Sequence, residues 1–163
     1  MAIIFNKKAR HDYFFYEKLE AGIALFGQEV KSVKEGSVSL ADSYVRIAGG
    51  EPLLVNAYIS PYKLAVDPSY EPRRERKLLL KKREIDFLIG KTASSFLTIV
   101  PTKLYTKHNL AKLEIALARA KKKFDKRAAL KKKALTREVE AQLREVKLKA
   151  QQKINSIARI SNA

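Results

Sequence analysis

Basic residues flank three consecutive leucines in the stretch 75–90, and cations in such a setting can be held at fixed positions. The leucines at 78–80 predict a short buried strand, and apolar residues at helical spacing in 85–89 predict a short helix that ends at Gly90. Cations on rigid elements can be placed at defined phosphate spacings. A solvated charged face is the commoner explanation of a basic cluster, but the rest of the chain favours phosphate binding. The residues concerned are Arg76, Lys77, Lys81, Lys82 and Arg83.

Two further groups could contact RNA, because cations bind phosphates and aromatic faces stack on unpaired bases. Lys31 and Lys34 lie on one face of a short helix predicted at 28–34. Glu20 is acidic in this basic setting, and it could either pair with a neighbouring cation or accept a hydrogen bond from a nucleobase amino group. The other group immediately precedes an aromatic-rich segment and comprises Asn6, Lys7, Arg10 and His11.

The sequence contains no recognisable catalytic or metal-binding constellation. It has no cysteine, and its two histidines, His11 and His108, lack carboxylates at a spacing that would complete a metal site. His11 and Asp12 would point to opposite faces of an extended strand, which argues against an acid–base pair. The Gly-Lys-Thr run at 90–92 lacks the earlier glycine of a phosphate-binding loop. We therefore expect a protein that is not an enzyme and that uses no cofactor and no metal.

The charge of the 163-residue chain is strongly positive, with a formal net charge of +17 and a pI near 10.1. Residues 1–118 carry +6 and residues 119–163 carry +11. This bias predicts a polyanionic partner. No apolar run approaches the length that spans a bilayer, and the N-terminus lacks the order of a signal peptide. A cytoplasmic location without membrane contact is therefore expected.

Short alternating segments in the first two-thirds of the chain, where every glycine and proline lies, predict a mainly β domain. Gly49 and Gly50 are a strong hairpin signal. Segments 96–105 and 110–118 predict a last hairpin, in which Pro101 indicates an edge position or a bulge. About six strands with two short flanking helices, and no βαβ rhythm, favour a small antiparallel barrel of the oligonucleotide-binding (OB) type. An SH3-like barrel is the alternative.

Residues 1–120 are thus expected to form an OB-like RNA-binding barrel, and residues 121–163 a basic C-terminal tail. Apolar residues from Leu130 onward recur at helical steps, but they form only a narrow stripe, and the cations of the tail repel one another. We therefore predict a tail that is disordered when free and helical when bound. As a continuous helix, residues 125–157 would span roughly 50 Å. The alternative to a disordered tail is a helix that docks on the barrel or forms a homodimeric coiled coil. We expect the protein to be a monomer.

Seven blocks of the sequence, in order, together resemble the SsrA-binding protein (small protein B) family. They are residues 6–13, 20–23, 29–32, 42–44, 59–62, 76–80 with 83–85, and 121–122 with 125–127. The resemblance implies an OB-type barrel that binds the tRNA-like domain of transfer-messenger RNA (tmRNA). It also implies a role as an adaptor of trans-translation, which brings charged tmRNA to bacterial ribosomes stalled without a stop codon. In that role the basic tail enters the empty mRNA channel and becomes helical there.

The resemblance also implies roles for individual residues. Leu79 would contribute an apolar contact, and the position of Lys81 is often another polar residue in the family. The positions that the family uses for tmRNA are Asn6, Arg10, His11, Glu20, Leu79 and Lys81. The segment that it uses in the ribosome matches Lys121, Lys122, Asp125, Lys126 and Arg127.

The sequence departs from the family pattern at three positions. Ala116 and Ala120 replace usual glycines, so a left-handed backbone there would be strained. Asn109 replaces a hairpin glycine and tolerates that conformation. Two other functions stay open: a ribosomal or general nucleic-acid-binding structural protein, and an unrelated barrel with a basic amphipathic tail for a membrane or a partner. The lack of aromatic residues after Phe124 argues against a membrane anchor.

Overall fold

The computed structural model describes residues 2–65 and 67–161, and within them no helix is both long and apolar enough to cross a membrane. The chain divides into two compact units, Met1–Lys121 and Lys122–Ala163. In chain order the elements are β1 (Ile3–Phe5), α1 (Lys7–Asp12), β2 (Tyr13–Ile23), α2 (Gly27–Lys34), β3 (Val38–Ser39), β4 (Tyr44–Ala48), β5 (Glu51–Val55), β6 (Tyr58–Ile59), β7 (Arg76–Leu79), α3 (Lys82–Ser94), β8 (Thr98–Lys107), β9 (Leu110–Ala120) and α4 (Lys123–Ser161).

Strand pairing closes the main sheet of the first unit on itself. Across the described part of the chain the order is β1-β8-β4-β5-β7-β2-β9, and β9 also pairs with β8, so six antiparallel strands form a closed ring to which β1 is added. The register of β8 and β9 shifts between Pro101 and Lys103, which confirms the irregularity expected at Pro101. The mainly β, antiparallel fold with short helices is confirmed, while the OB type stays a prediction.

Alternating apolar side chains fill the interior of the ring. Leu113, Ile115 and Leu117 of β9 are at most 1% exposed, as the alternation of this segment predicts. Val33 of α2 and Leu88 of α3 are fully buried in the same cluster. Burying such a side chain stabilises the fold by about 1.5–3 kcal/mol. Helices α2 and α3 therefore each pack on the barrel through a fully buried apolar side chain.

Left-handed residues make two of the hairpin turns. Gly49 and Gly50 have φ angles of +59° and +79° between β4 and β5, as a type I′ turn requires, so the predicted hairpin is confirmed. Asn109, in the turn between β8 and β9, has a φ of +63°, a conformation that asparagine tolerates. Ala116 and Ala120 lie within β9 and are not among the described residues with positive φ, so the strain considered for them does not arise.

Helix α3 continues past Gly90 to Ser94, so the prediction that Gly90 ends this helix is wrong. Ile89 and Thr92 line an apolar groove together with Val45 of β4. Gly90 is not among the described glycines with positive φ, so it forms no left-handed cap, and the helix bears the cost of about 1 kcal/mol that a glycine imposes in its interior.

The second unit is the single helix α4, which is continuous over Lys123–Ser161 in the structure of the chain alone. The helical pattern of this segment is confirmed, and its disorder in the free protein stays a prediction. Strong helix formers fill the segment without glycine or proline, and the Asp125 carboxylate accepts a hydrogen bond from the Lys122 amide at 3.2 Å. The side chains of residues 128–152 are exposed. Residues 162–163 of the predicted tail lie outside the described residues.

A buried carboxylate joins α2 to β7 and to the residues just before it. Glu29 is fully buried, and its Oε1 accepts hydrogen bonds from Nε of Arg76 at 2.8 Å and Nε of Arg74 at 2.9 Å. The Phe26 amide donates to Oε2 at 2.8 Å. Burial raises the pKa of Glu29, but the hydrogen bonds from Arg74, the Phe26 amide and Arg76 outweigh it, so the pKa lies below its ordinary value. The carboxylate is therefore ionised at neutral pH and holds both arginines in place.

We predict that Glu29→Gln destabilises the fold by about 3 kcal/mol or more, because Arg76 would keep a buried charge without its counter-ion. Glu51→Gln is the matched control, since Glu51 pairs with Lys77 at a site where both side chains are about half exposed. We expect that control to cost about 1 kcal/mol or less. Urea unfolding at neutral pH measures both values, and equal losses in the two variants would contradict the structural importance of the buried pair.

Candidate nucleic-acid interface

Cations and aromatic rings meet at α1, as the sequence predicts for this segment. The Arg10 guanidinium lies 5.9 Å from the centre of the Phe5 ring, and the Lys121 ammonium lies 5.0 Å from the centre of the Phe14 ring. Lys121 Nζ also donates to the Arg10 carbonyl at 3.3 Å. Phe5 and Phe14 are each about half exposed. This arrangement offers stacking surface and positive charge side by side.

Asn6 positions α1 and does not present its side chain to solvent. The residue is 4% exposed, and its Nδ2 donates to the Leu40 carbonyl at 2.8 Å and to the Pro101 carbonyl at 2.9 Å. Its Oδ1 accepts from the Ala9 amide at 3.0 Å and so caps the N-terminus of α1. Any contribution of Asn6 to RNA binding would therefore act through the placement of α1.

His11 and Asp12 are paired, contrary to the sequence argument that set them on opposite faces of a strand. Both lie in α1, and His11 Nδ1 is 3.0 Å from Asp12 Oδ1. The difference arises because the segment is helical where an extended strand was assumed. Among the described residues no group of three or more histidine, aspartate or glutamate side chains could hold a metal ion.

Leu79 lies on the outer face of β7 and borders an open groove. Along β7 the side chains alternate, so that Leu78 is 1% exposed and Leu79 is 58% exposed. Leu79 pairs with Gly22 of β2, where an added Cβ would lie 3.1 Å from the Leu79 Cβ. The groove, of about 660 Å³, is bordered by Leu79, Glu20 and Lys81. The absence of a side chain at Gly22 thus leaves room for the exposed leucine.

Glu20 borders the same groove and is held by two neighbours on other strands. The Tyr105 hydroxyl donates to Oε2 of Glu20, and Lys112 Nζ lies 3.5 Å from Oε1. The Tyr105 hydrogen bond, helped by the charges of Lys112 and Lys107, holds the pKa of Glu20 below its ordinary value. The same hydrogen bond raises the pKa of Tyr105 to about 12. At neutral pH the pair is therefore an ionised carboxylate and a neutral phenol.

Three exposed cations stand at the N-terminus of α3. Lys81 is the N-cap residue, Lys82 and Arg83 follow, and the Lys81 amide donates to Glu84 Oε2 at 2.8 Å. Cations at this end of a helix oppose its dipole, whereas an anion there is favoured. A phosphate at this position would be attracted both by the side chains and by the helix terminus.

Arg76 cannot contact RNA, so its prediction as a phosphate-binding residue is wrong. Its side chain is fully buried, because the strand alternation places it on the same inner face as Leu78. Its guanidinium donates to Glu29, to the Tyr70 hydroxyl and to carbonyl groups that include the one of Ala57. Lys77, on the outer face, forms an ion pair with Glu51.

The lysines of α2 are exposed, and Lys34 lies near the turn between β8 and β9. Lys34 Nζ is 3.5 Å from the side-chain oxygen of Asn109, and the Lys31 ammonium lies 4.9 Å from the centre of the Tyr62 ring. The predicted placement of both lysines on an accessible face of this helix is confirmed.

Apart from Lys31 and Lys34 of α2 and the buried Arg76, the predicted contact residues fall into two groups at opposite ends of β2. Tyr13, the first residue of β2, adjoins α1, whereas Gly22 pairs with Leu79 near the other end. Nine residues of strand separate these positions by about 30 Å. The α1 group comprises Asn6, Lys7, Arg10 and His11. The β7–α3 group comprises Glu20, Leu79, Lys81, Lys82 and Arg83.

The segment proposed for the ribosome straddles the end of the first unit. Lys121 belongs to the first unit, and Lys122, Asp125, Lys126 and Arg127 belong to the second. Asp125 helps to cap α4, because its Oδ2 accepts a hydrogen bond from the Lys122 amide.

Sequence reasoning missed Tyr105 and Phe5 as members of these groups. Tyr105 is 85 residues from Glu20 in the chain, so only strand pairing brings its hydroxyl to the carboxylate. Phe5 precedes the cluster that was singled out and pairs with Lys103 of β8. The first strand, Ile3–Phe5, is apolar throughout, so no alternation in the sequence could have placed Phe5 on the outer face.

A closed antiparallel ring of six strands in the described residues, two outward groups of cations and a basic helix define a small, basic β-barrel protein. A family model described as SmpB protein matches residues 3–145. This chain therefore belongs to the SmpB protein family.

Similar proteins extend over most of the chain. The SsrA-binding protein of Rubrobacter xylanophilus is 52% identical over 140 residues, which are 86% of this chain and 93% of that protein. The SsrA-binding protein of Sulfurihydrogenibium sp. is 54% identical over 135 residues, 83% of this chain and 89% of that protein. A solved structure described as "tmRNA-SmpB: a journey to the center of the bacterial ribosome" contains a chain 45% identical to this one, with a TM-score of 0.64. That match covers 76% of this chain and 87% of the other.

We predict that the same substitution at two adjacent leucines causes a large loss of stability at one position and a small loss at the other. Leu78→Ala should cost about 2–5 kcal/mol, because it empties a buried site, whereas Leu79→Ala should cost about 0.5 kcal/mol or less. Urea unfolding of the two variants provides the comparison. A large loss in Leu79→Ala would mean that this leucine packs in the core and is not available to a ligand.

Proposed function

We propose that this chain is a non-enzymatic RNA-binding adaptor of trans-translation. It binds the tRNA-like domain of tmRNA and delivers it to stalled bacterial ribosomes, which places it in the cytoplasm as a monomer without membrane contact. The relatives named SsrA-binding proteins, and the solved complex whose description names tmRNA, SmpB and the ribosome, support this proposal. The observation that carries it is the β7–α3 group, where an exposed leucine, an ionised glutamate and the N-cap residue Lys81 of α3 border one groove.

The RNA-binding surface in this proposal combines three kinds of contact. Cations of α1 and α3 neutralise phosphates, Leu79 makes an apolar contact with a base or a sugar, and Glu20 accepts a hydrogen bond from RNA. Lys7, Lys31 and Lys34 add positive charge at the margins. Because folded RNA presents phosphates over tens of ångströms, one RNA of tRNA size can reach both groups across the separation of about 30 Å.

The proposed role of α4 is to occupy the empty mRNA channel. A helix of 39 residues reaches about 58 Å at 1.5 Å per residue, and the exposed side chains of residues 128–152 carry cations on several sides. Such a helix can contact RNA walls around its circumference. We propose that Lys121, Lys122, Asp125, Lys126 and Arg127 form the part of this segment that contacts the ribosome.

Titration against three RNAs tests this function. We expect binding to the tRNA-like domain of tmRNA to be at least about tenfold tighter than binding to an elongator tRNA or to a random duplex at equal salt, because specific contacts add to the electrostatic attraction. Leu79→Ala should weaken binding to the tmRNA fragment and leave duplex binding unchanged, since no charge is removed. Equal affinity for all three RNAs would instead favour a ribosomal or general nucleic-acid-binding protein.

Truncation after Lys123 tests the division of labour between the two units. We expect the shortened chain to keep its preference for the tmRNA fragment over random duplex, although both affinities fall because cations are lost. Peptide tagging on stalled ribosomes in a reconstituted translation system should be abolished. The full-length chain in the same assays is the reference. Loss of the preference would place part of the RNA-recognition surface in α4.

A further inference from the structure

Two carboxylates face each other across the outer surface of the barrel. Glu20 of β2 and Glu114 of β9 are directly paired in the antiparallel register. Like charges at such positions destabilise a sheet unless other groups compensate them. The two carboxylates are compensated in different ways, and this difference indicates what each can bind.

Glu114 is occupied by groups of the protein itself. Its Oε1 accepts from the Thr102 hydroxyl at 2.6 Å and lies 3.4 Å from Lys18 Nζ, and its Oε2 lies 2.9 Å from Lys103 Nζ. The side chain is 19% exposed. Little acceptor capacity is left for a ligand, so Glu114 acts as a fixed counter-ion for the two lysines.

Glu20 keeps acceptor capacity toward solvent. An ionised carboxylate offers about four lone-pair sites. Of these, the Tyr105 hydroxyl occupies one on Oε2, and Lys112 lies 3.5 Å from Oε1. The side chain is 45% exposed and borders the groove that also contains Leu79. The remaining lone pairs are available to a donor that enters this groove.

Tyr105 is itself fixed by the sheet. It pairs with Lys112 on β9 and with Ile3 on β1, and the Lys103 ammonium lies 5.4 Å from the centre of its ring. A tyrosine in the middle of a strand has few rotamers, so a hydrogen bond from its hydroxyl restrains the glutamate more than a flexible lysine can. The carboxylate is thus held in one orientation before any ligand arrives.

We propose that Tyr105 is a positioning residue for RNA recognition, which aims the open carboxylate of Glu20 at the amino or imino donors of an unpaired nucleobase. This inference rests on the proposed function. A carboxylate repels phosphate, so on a cationic surface it rejects the RNA backbone and selects groups that donate hydrogen bonds. Unpaired bases expose such donors on their Watson–Crick edges. Tyr105 and Glu20 therefore contribute specificity, whereas the surrounding lysines contribute general affinity.

Tyr105→Phe tests the proposal in the full-length protein, with Tyr58→Phe as the matched control. Tyr58 lies in β6, and its ring faces Arg73. We expect Tyr105→Phe to weaken binding to the tRNA-like domain of tmRNA by about five- to tenfold, the size of effect that loss of one typical hydrogen bond produces. Random-duplex affinity and its salt dependence should stay unchanged, because no cation is removed. Tyr58→Phe should behave as the unaltered protein in both titrations.

The pH dependence of the preference separates positioning from a purely structural role. Charged and titratable groups around Glu20 are Tyr105, Lys107 and Lys103 on β8, Lys112 and Glu114 on β9, Lys18 on β2, and Glu51, Lys77, Lys81 and Glu84 along the groove. Removal of the Tyr105 hydroxyl raises the pKa of Glu20, so the preference for tmRNA should disappear at a higher pH in Tyr105→Phe than in the unaltered protein. Glu20→Gln should show a weak preference without this acidic transition.

The outcomes distinguish the inference from the proposed function. If the unaltered protein prefers tmRNA and Glu20→Gln reduces that preference, but Tyr105→Phe changes neither the preference nor its pH dependence, the positioning role is refuted and the proposed function stands. If the unaltered protein shows no preference for tmRNA, the proposed function itself is refuted. Thermal unfolding of each variant confirms that the barrel is intact in these comparisons.

Discussion

The carboxylate of Glu29 lies fully buried between Arg74 and Arg76, and the outer surface of the barrel depends on this contact. Through it, α2, β7 and the residues that precede β7 are joined at one point. Arg76 in turn donates to carbonyls of Ala57 and Pro72, so the approach to β7 is held along its length. These contacts fix the register of β7. Because buried and exposed side chains alternate along this strand, Leu79 points outward and borders the groove beside α3.

The charges of this protein divide into those that build the fold and those that face solvent. Glu29 and Arg76 belong to the first kind, since both are buried and satisfied by hydrogen bonds. Lys81, Lys82 and Arg83 belong to the second, at a helix terminus where the dipole does not favour them. Positions that cost local stability and remain exposed are consistent with a role in binding anions. The net charge of +17 alone does not distinguish these two kinds.

Particular residues show how far sequence patterns reach. The Gly49-Gly50 hairpin and the helix of α2 were predictable, because turn chemistry and short-range spacing determine them. Three consecutive leucines show no apolar–polar alternation, so the sequence did not indicate which side chains of β7 face inward. Arg76 was therefore assigned to the surface, although it lies on the same inner face as Leu78. Helix α3 continues past Gly90, which is not among the described glycines with positive φ and so does not form the left-handed cap that was expected. The helix of α4 follows from composition, because strong helix formers fill the segment without glycine or proline.

The sequence by itself determined the mainly β class, the basic character of the chain, the hairpins and the helical pattern of α4, because each depends on composition or on neighbours a few residues away. The tertiary structure alone decided which charged groups are buried and which carboxylate is open. Glu29 meets Arg76 across 47 residues and Glu20 meets Tyr105 across 85 residues. Such contacts arise only when the sheet closes, since strand pairing and not sequence distance sets which side chains become neighbours.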